Sequence, residues 1–317
     1  MVNDALKYLS SIVALTLLFP LVAEAQSRNV QIETDLGVLA GTLTIPESES
    51  PRASVLIIAG SGPTDRDGNS RGLPGNNNSL KYLAESLAGL NIASLRFDKR
   101  LIGDSASSLL AESDLRFDTY VDDAVLWAQF LQRQIDVPVY IVGHSEGSLI
   151  GLLAASKMEV TGVISIAGPG RPASQVILDQ IRERLPADLL AETETILGRL
   201  NNGQTISSPP PELNALFRES VQPYLISWFQ YDPASVVAGL DVPLLLLYGS
   251  TDIQIDIADG ERLLAAGTTA SLKIIEGMNH VLKMVGPDTN EQIESYSDPE
   301  LPIADELVSE IDAFVAK

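Results

Sequence analysis

The sequence has no cysteine and only two histidines among its 317 residues. The first absence excludes disulfides and thiolate chemistry, and a chain of this length has core enough to fold without cross-links. With so few soft ligands, no cluster has metal-ligand spacing, and neither a metal nor another cofactor is called for. Basic residues are also scarce: 21 Lys and Arg stand against 42 Asp and Glu, a net charge of −21. A surface this acidic repels nucleic acid and anionic membranes, so neither is an expected partner. Long apolar runs are missing except at the amino terminus. There Lys7 precedes a nearly continuous apolar stretch, 9–22, followed by Ala23-Glu24-Ala25 and a polar Gln-Ser-Arg. Residues 1–25 have the pattern of a cleavable signal peptide. An uncleaved anchor is the alternative, although the run is short for a span of about 20 residues. The expectation is an exported chain, periplasmic or secreted, with no stable membrane association after cleavage.

What the sequence does have is a rhythm of short apolar runs and amphipathic stretches. Residues 30–34 and 38–45 flank Asp35-Leu36-Gly37 and predict an antiparallel pair with a tight turn. The runs 53–59, 92–97, 137–142, 160–167, 242–248 and 271–275 predict further strands, several apolar throughout, as strands covered on both faces are. Helical spacing occupies 80–90, 117–134, the stretch from Leu149 to Met158, and 303–316. This alternation predicts an α/β fold, a mostly parallel eight-stranded sheet flanked by helices. Residues 168–240 break the rhythm, with helical patterns at 175–184, 187–200 and 213–229 and a Ser-Pro-Pro-Pro interruption at 208–211. The expected division is a core of 26–167 and 241–317 with a helical cap, 168–240, inserted between two strands.

The chemistry centres on Gly143-His144-Ser145-Glu146-Gly147, between an apolar run and a helical pattern. G-x-S-x-G at a strand-to-helix turn lifts a serine hydroxyl above a sheet, and the glycines let strand and helix approach. An activated serine needs a base, and the base needs a carboxylate. His144 is a poor base for its own neighbour, since consecutive residues at such a turn point apart. That leaves His280, in a loop after the last predicted strand. Asp252, in the loop after 242–248, is the preferred carboxylate, because sites in open α/β sheets assemble at that edge. Asp256 and Asp259 are its rivals, and an Asx-turn explains Asp252 equally well.

The order Ser145, Asp252, His280 is that of the α/β hydrolases and not of chymotrypsin-like or subtilisin-like proteases. On these residues, and on the strand pattern over nearly all of the chain past the leader, the sequence resembles the α/β-hydrolase superfamily. The loop Gly60-Ser61-Gly62-Pro63-Thr64-Asp65-Arg66-Asp67 is similar to that of a bacterial group of esterases and serine-aminopeptidase-like proteins. The resemblance implies an oxyanion hole from the backbone N–H groups of Ser61, with Gly62 as alternative, and Glu146. Many such relatives carry His where this chain has Ala59, so the loop must be braced otherwise, with Asp65, Arg66 and Asp67 as candidates. Arg96-Phe97-Asp98-Lys99-Arg100 also resembles a common segment and is expected to be structural. The helix dipole is enough to account for the Glu146 carboxylate.

These readings predict a serine hydrolase that cleaves carboxylic esters of small to medium acyl chains through an acyl-enzyme on Ser145. A peptidase, an amidase or an acyltransferase would use the same three residues. A peptidase taking a free amino terminus would need a carboxylate, for which Glu146, Asp104 or acids of the cap are available. A non-catalytic protein binding an apolar ligand is the alternative of another class. Tyr224, Trp228 and Phe229, clustered with Leu225 and Tyr231, either line an acyl pocket or form the cap's own core.

Overall fold

The structure, a computed structural model, describes residues 25–47, 50–106 and 109–317. The expected signal peptide therefore lies outside the described residues, Ala25 apart. An eight-stranded sheet forms the centre, in the order β1-β2-β4-β3-β5-β6-β7-β8. The strands are β1 (Gln26–Thr34), β2 (Gly37–Ile45), β3 (Ala53–Ile58), β4 (Ile92–Phe97), β5 (Val139–His144), β6 (Gly162–Ile166), β7 (Leu244–Gly249) and β8 (Ala270–Ile275). Only the β1/β2 and β2/β4 pairs are antiparallel, so β2 alone runs against the rest.

Alternation along each strand sorts the core into two layers. In β3, Val55 and Ile57 face a cluster with α1 (Ser79–Gly89) and α11 (Asp305–Val315). Their neighbours Leu56 and Ile58 face the opposite cluster, with α2 (Phe117–Gln134) and α3 (Glu146–Lys157). Covering both faces is what demands the unbroken apolar runs. The face of α1 read from the sequence is the buried one: Leu80, Leu83 and Leu87 are at most 1% exposed. Each contributes roughly 1.5–3 kcal/mol by leaving water.

Between β6 and β7 the chain makes α4 (Ala173–Arg182), α5 (Ala187–Asn201), α6 (Asn214–Phe217), α7 (Gln222–Phe229) and α8 (Pro233–Ala238). The helix predicted over 213–229 is broken between α6 and α7. Pro223 enters the first turn of α7, where its missing N–H costs nothing, but its ring bars a helical turn from running into it. Two more helices were not legible, α9 (Ile257–Ala266) and α10 (Thr289–Ser295). No described helix is long and apolar enough to cross a membrane.

The strand order reverses at β3 and β5, which neighbour one another although β4 separates them in sequence. Connections leaving such a switch point diverge, and the crevice between them is where α/β sheets hold ligands. The glycine loop after β3 and Ser145 after β5 both meet there.

Candidate active site

Ser145 is the one residue between β5 and α3, with φ 54° and ψ −121°. A non-glycine residue so far outside the ordinary regions costs about 1–3 kcal/mol and must be held by its surroundings. Its N–H donates to the Ile166 carbonyl at 2.9 Å, and its carbonyl accepts from Ser148 N–H at 2.9 Å. The flanking glycines are steric requirements. A Cβ on Gly143 would sit 2.3 Å from the Gly147 oxygen, and one on Gly147 would sit 2.3 Å from the Ile58 oxygen. Both obstacles are backbone, so the α3 start can lie against β5 and the end of β3 only without side chains there.

Asp252 and His280 come together from the loops after β7 and β8. His280 Nδ1 lies 2.8 Å from Asp252 Oδ2, with both side chains buried. A carboxylate only accepts, so Nδ1 carries the proton and Nε2 is left as the acceptor. The other carboxylate oxygen, Oδ1, accepts from Gln254 N–H at 2.7 Å and Ile255 N–H at 3.0 Å. Asp252 thus closes an Asx-turn with one oxygen and orients the imidazole with the other. Its rivals are engaged elsewhere. Asp256 caps α9 through Ala258 N–H at 2.8 Å, and Asp259 binds Gly170 N–H and Arg171.

His144 does more than flank the serine. Its Nε2 donates to the His280 carbonyl at 2.8 Å, and the two rings lie 4.9 Å apart. Burial pushes the imidazole down to about 3, the His280 ring adding to the drop and the bond to the His280 carbonyl opposing it. His144 is therefore a neutral strut beneath His280. On the far side of that loop, Asn279 Oδ1 accepts from Lys283 N–H at 2.9 Å, and its Nδ2 donates to Ser295 Oγ of α10 at 2.8 Å.

The glycine loop is braced as its charges suggested, and also by a residue the sequence reading assigned no such part. Asp65 Oδ1 accepts from Asp67 and Asn69 N–H, both at 2.9 Å. Arg66 pairs with Asp104 and donates its N–H to Asp98 Oδ1 at 2.8 Å, while Asp67 pairs with Arg96 at 3.0 Å. The additional brace is Lys99. Its Nζ donates to the Gly60 carbonyl at 2.6 Å and to Glu146 Oε2 at 2.5 Å. Glu146 is 2% exposed and takes a second bond, from Tyr224 OH at 2.5 Å. Its charge is thus matched by a buried cation as well as by the helix dipole that was expected to account for it. Burial and the Glu146 charge push the Tyr224 phenol well above its ordinary range, so it remains a donor.

Ser61, Ser145, His144 and His280 line one cavity of about 550 Å³. Gly60 also lines it, and a Cβ there would sit 3.2 Å from the Cβ of Ser145. Among the described residues, the N–H groups of Ser61 and Glu146 and the hydroxyl of Ser145 have no hydrogen-bond partner in the protein. No Asp or Glu lines the cavity; Arg184 does, and its guanidinium makes no ion pair among the described residues. Tyr224, Trp228 and Phe229 do not line it. They are core: Trp228 stacks on Phe117 of α2 at 5.6 Å, and Tyr224 meets Phe117 and Tyr120. The acyl-pocket option for these three is thereby corrected; what put them inside is the aromatic face of α2.

Residues 51–289 match the Alpha/beta hydrolase family, and the chain belongs to that family. It is a hydrolase by family, and the matched span holds Ser145, Asp252 and His280. The chain is 29% identical over 258 residues to Esterase EstD of Thermotoga maritima, covering 79% of this chain and 60% of that protein. It is 26% identical over 239 residues to Monoglyceride lipase of Homo sapiens, covering 67% of this chain and 73% of the relative. Among solved structures, Est1E of Butyrivibrio proteoclasticus, with ferulic acid bound, superimposes with a TM-score of 0.58 at 17% identity, covering 91% of this chain and 100% of its own. The esterase domain of a Rhodothermus marinus protein gives 0.56 at 20% identity, covering 92% and 99%. Identities this low speak for the fold alone.

Proposed function

We propose that the protein is a serine esterase that cleaves carboxylic esters of small to medium acyl chains through an acyl-enzyme on Ser145. The observation that carries this reading is the Asp252–His280 pair, 2.8 Å apart, opening on the same cavity as a strained serine beside two uncommitted N–H groups. In this mechanism His280 Nε2 takes the proton of Ser145 Oγ as the oxygen attacks the ester carbonyl. Asp252 holds the proton on Nδ1 and stabilises the imidazolium. The carbonyl oxygen becomes an oxyanion, bound by the N–H groups of Ser61 and Glu146. His280 returns the proton to the departing alkoxide. A water molecule then repeats the sequence on the acyl-enzyme and releases the acid. A cavity of about 550 Å³ suits a ligand of modest size.

An ester is favoured over a peptide amino terminus by the cavity's charge. An ammonium there would meet Arg184 and no carboxylate, since Glu146 is held by Lys99 and Asp104 by Arg66. The names of the curated relatives, an esterase and a lipase, agree. The amino-terminal pattern supports export, which sequencing the mature amino terminus would check.

The test is a panel of p-nitrophenyl esters of rising length beside aminoacyl p-nitroanilides, with a fluorophosphonate probe in parallel. Short and medium esters should turn over, anilides should not, and the probe should label wild type but not Ser145→Ala. Failure of wild type to label, or turnover by Ser145→Ala, would refute the assignment and leave a ligand-binding role.

A further inference from the structure

Lys99, Glu146 and Tyr224 form a buried network at the back of the site, and the reaction as described uses none of their side chains. Lys99 is 1% exposed and Glu146 2%, although a buried ion pair is by itself weak evidence for stability. All three protons of the ammonium have a place: the Gly60 carbonyl at 2.6 Å, Glu146 Oε2 at 2.5 Å, and the face of Tyr120, whose centroid lies 5.1 Å away. The network ties three separate elements, the loop after β3, the start of α3, and α7.

From this geometry we infer that Lys99, held by Glu146 and Tyr224, is the positioning residue of the oxyanion hole. The inference rests on the assignment of Ser61 and Glu146 N–H as oxyanion donors. The Gly60 carbonyl and the Ser61 N–H belong to one peptide unit. That unit is planar and trans, so its C=O and N–H point in opposite directions. Lys99 draws the carbonyl into the protein interior, which turns the N–H of Ser61 away from it, toward the cavity that Gly60 and Ser61 line. Without the ammonium, Gly60, whose ψ is one of the two torsions about this peptide, would let it rotate. Glu146 serves both donors. Its main chain supplies one, and its side chain fixes the lysine that orients the other. Tyr224 holds the second carboxylate oxygen, which prevents Glu146 from swinging off Lys99.

A network of this kind acts on the transition state and leaves substrate binding alone. Losing one oxyanion donor costs about 10²–10³ in rate, and a displacement of about 1 Å about 10². The test compares Lys99→Met, Glu146→Gln and the double variant with wild type, using p-nitrophenyl butyrate and a trifluoromethyl ketone that forms a tetrahedral oxyanion adduct on serine. The double variant leaves no unpaired buried charge, so it remains informative if Lys99→Met alone does not fold. In the folded double variant kcat should fall about 10- to 100-fold with KM within about twofold, and affinity for the ketone should fall by the same factor as kcat/KM. A folded double variant with wild-type kcat would overturn the inference, and so would a lower kcat with unchanged ketone affinity. Ser145→Ala separates the two levels. If it is inert while the double variant is fully active, only the positioning role fails; if it still turns over substrate, the oxyanion reading beneath it fails as well.

Discussion

Asp252→Asn isolates the orienting role of this carboxylate from its structural one, because the two roles fall on different oxygens. Oδ1 accepts from the N–H groups of Gln254 and Ile255, and Oδ2 faces His280 Nδ1 at 2.8 Å. An asparagine retains an oxygen for the turn. The reverse flip would aim an NH₂ at two N–H donors, so the amide is held with its nitrogen toward His280. His280 must then accept on Nδ1, and its proton moves to Nε2, where it can no longer receive the serine proton. The expected loss in kcat is about 10⁴, or roughly 5 kcal/mol of transition-state stabilisation. The turn survives, so stability should change little, whereas Asp252→Ala should lose both activity and stability. The measurements are kcat and KM on p-nitrophenyl butyrate and urea melts of each variant. Asp256→Asn is the control, since asparagine caps a helix as well as aspartate does. If Asp252→Asn kept a tenth or more of the activity (roughly 1.4 kcal/mol lost at most), or Asp256→Asn lost it instead, the assignment of the carboxylate would be wrong.

Gly147→Ala places a Cβ 2.3 Å from the Ile58 oxygen and 2.8 Å from the Ala59 oxygen, both backbone. The elbow must shift, so stability should fall by about 1–3 kcal/mol and turnover by at least about tenfold; wild-type behaviour in melts and kinetics would count against the packing account. His144 titrates at about 3 in the fold, against about 6.5 unfolded, so between those values the unfolded chain binds the extra proton and stability rises with pH. Its contribution is full above about 6.5 and is lost as pH falls, and in urea melts over that window His144→Gln should show a slope shallower than wild type by up to about 1.4 kcal/mol per pH unit; equal slopes would deny the shift. Arg184 is exposed and, among the described residues, makes no ion pair and meets no carboxylate lining the cavity. A p-nitrophenyl ester whose acyl chain ends in a carboxylate should lose up to about fivefold in kcat/KM in Arg184→Gln, while its neutral counterpart should not; equal losses would rule out a charge effect.

The sheet was legible because strands covered on both faces must be largely apolar, as 55–58 and 244–247 are throughout. The elbow was legible because its requirements are local: two glycines and a serine within five residues. Features built from distant partners were not. Helix α9 buries Asp259 and Gly260 beside Leu263, against Arg171 and the ring of Tyr248, so its buried face is only partly apolar. Helix α10 is announced mainly by its cap, Asp288, which accepts from Asn290 and Glu291 N–H, and it leaves Ile293 exposed. The Lys99–Glu146 pair spans 47 residues and has no local signature, so a structural segment after β4 and a helix-start carboxylate beside the serine read as unconnected features. Tyr224, Trp228 and Phe229 showed aromatic clustering, but which face of α7 they occupied depended on Phe117 and Tyr120, about a hundred positions earlier.

The bond from Tyr224 to Glu146 also bears on how this enzyme can be recombined with others. Replacing the whole stretch between β6 and β7 would look like exchanging an accessory module, yet it would remove a hydroxyl that the Glu146 carboxylate, next to Ser145, relies on. The workable seam lies inside the stretch, at the break before Pro223. Chimeras that trade α4 to α6 while keeping α7 retain the Tyr224 contact and the Phe117–Trp228 stack, and must refill the core positions of Ile196, Leu200 and Phe217 while changing the Gln180, Ile181 and Arg184 side of the cavity.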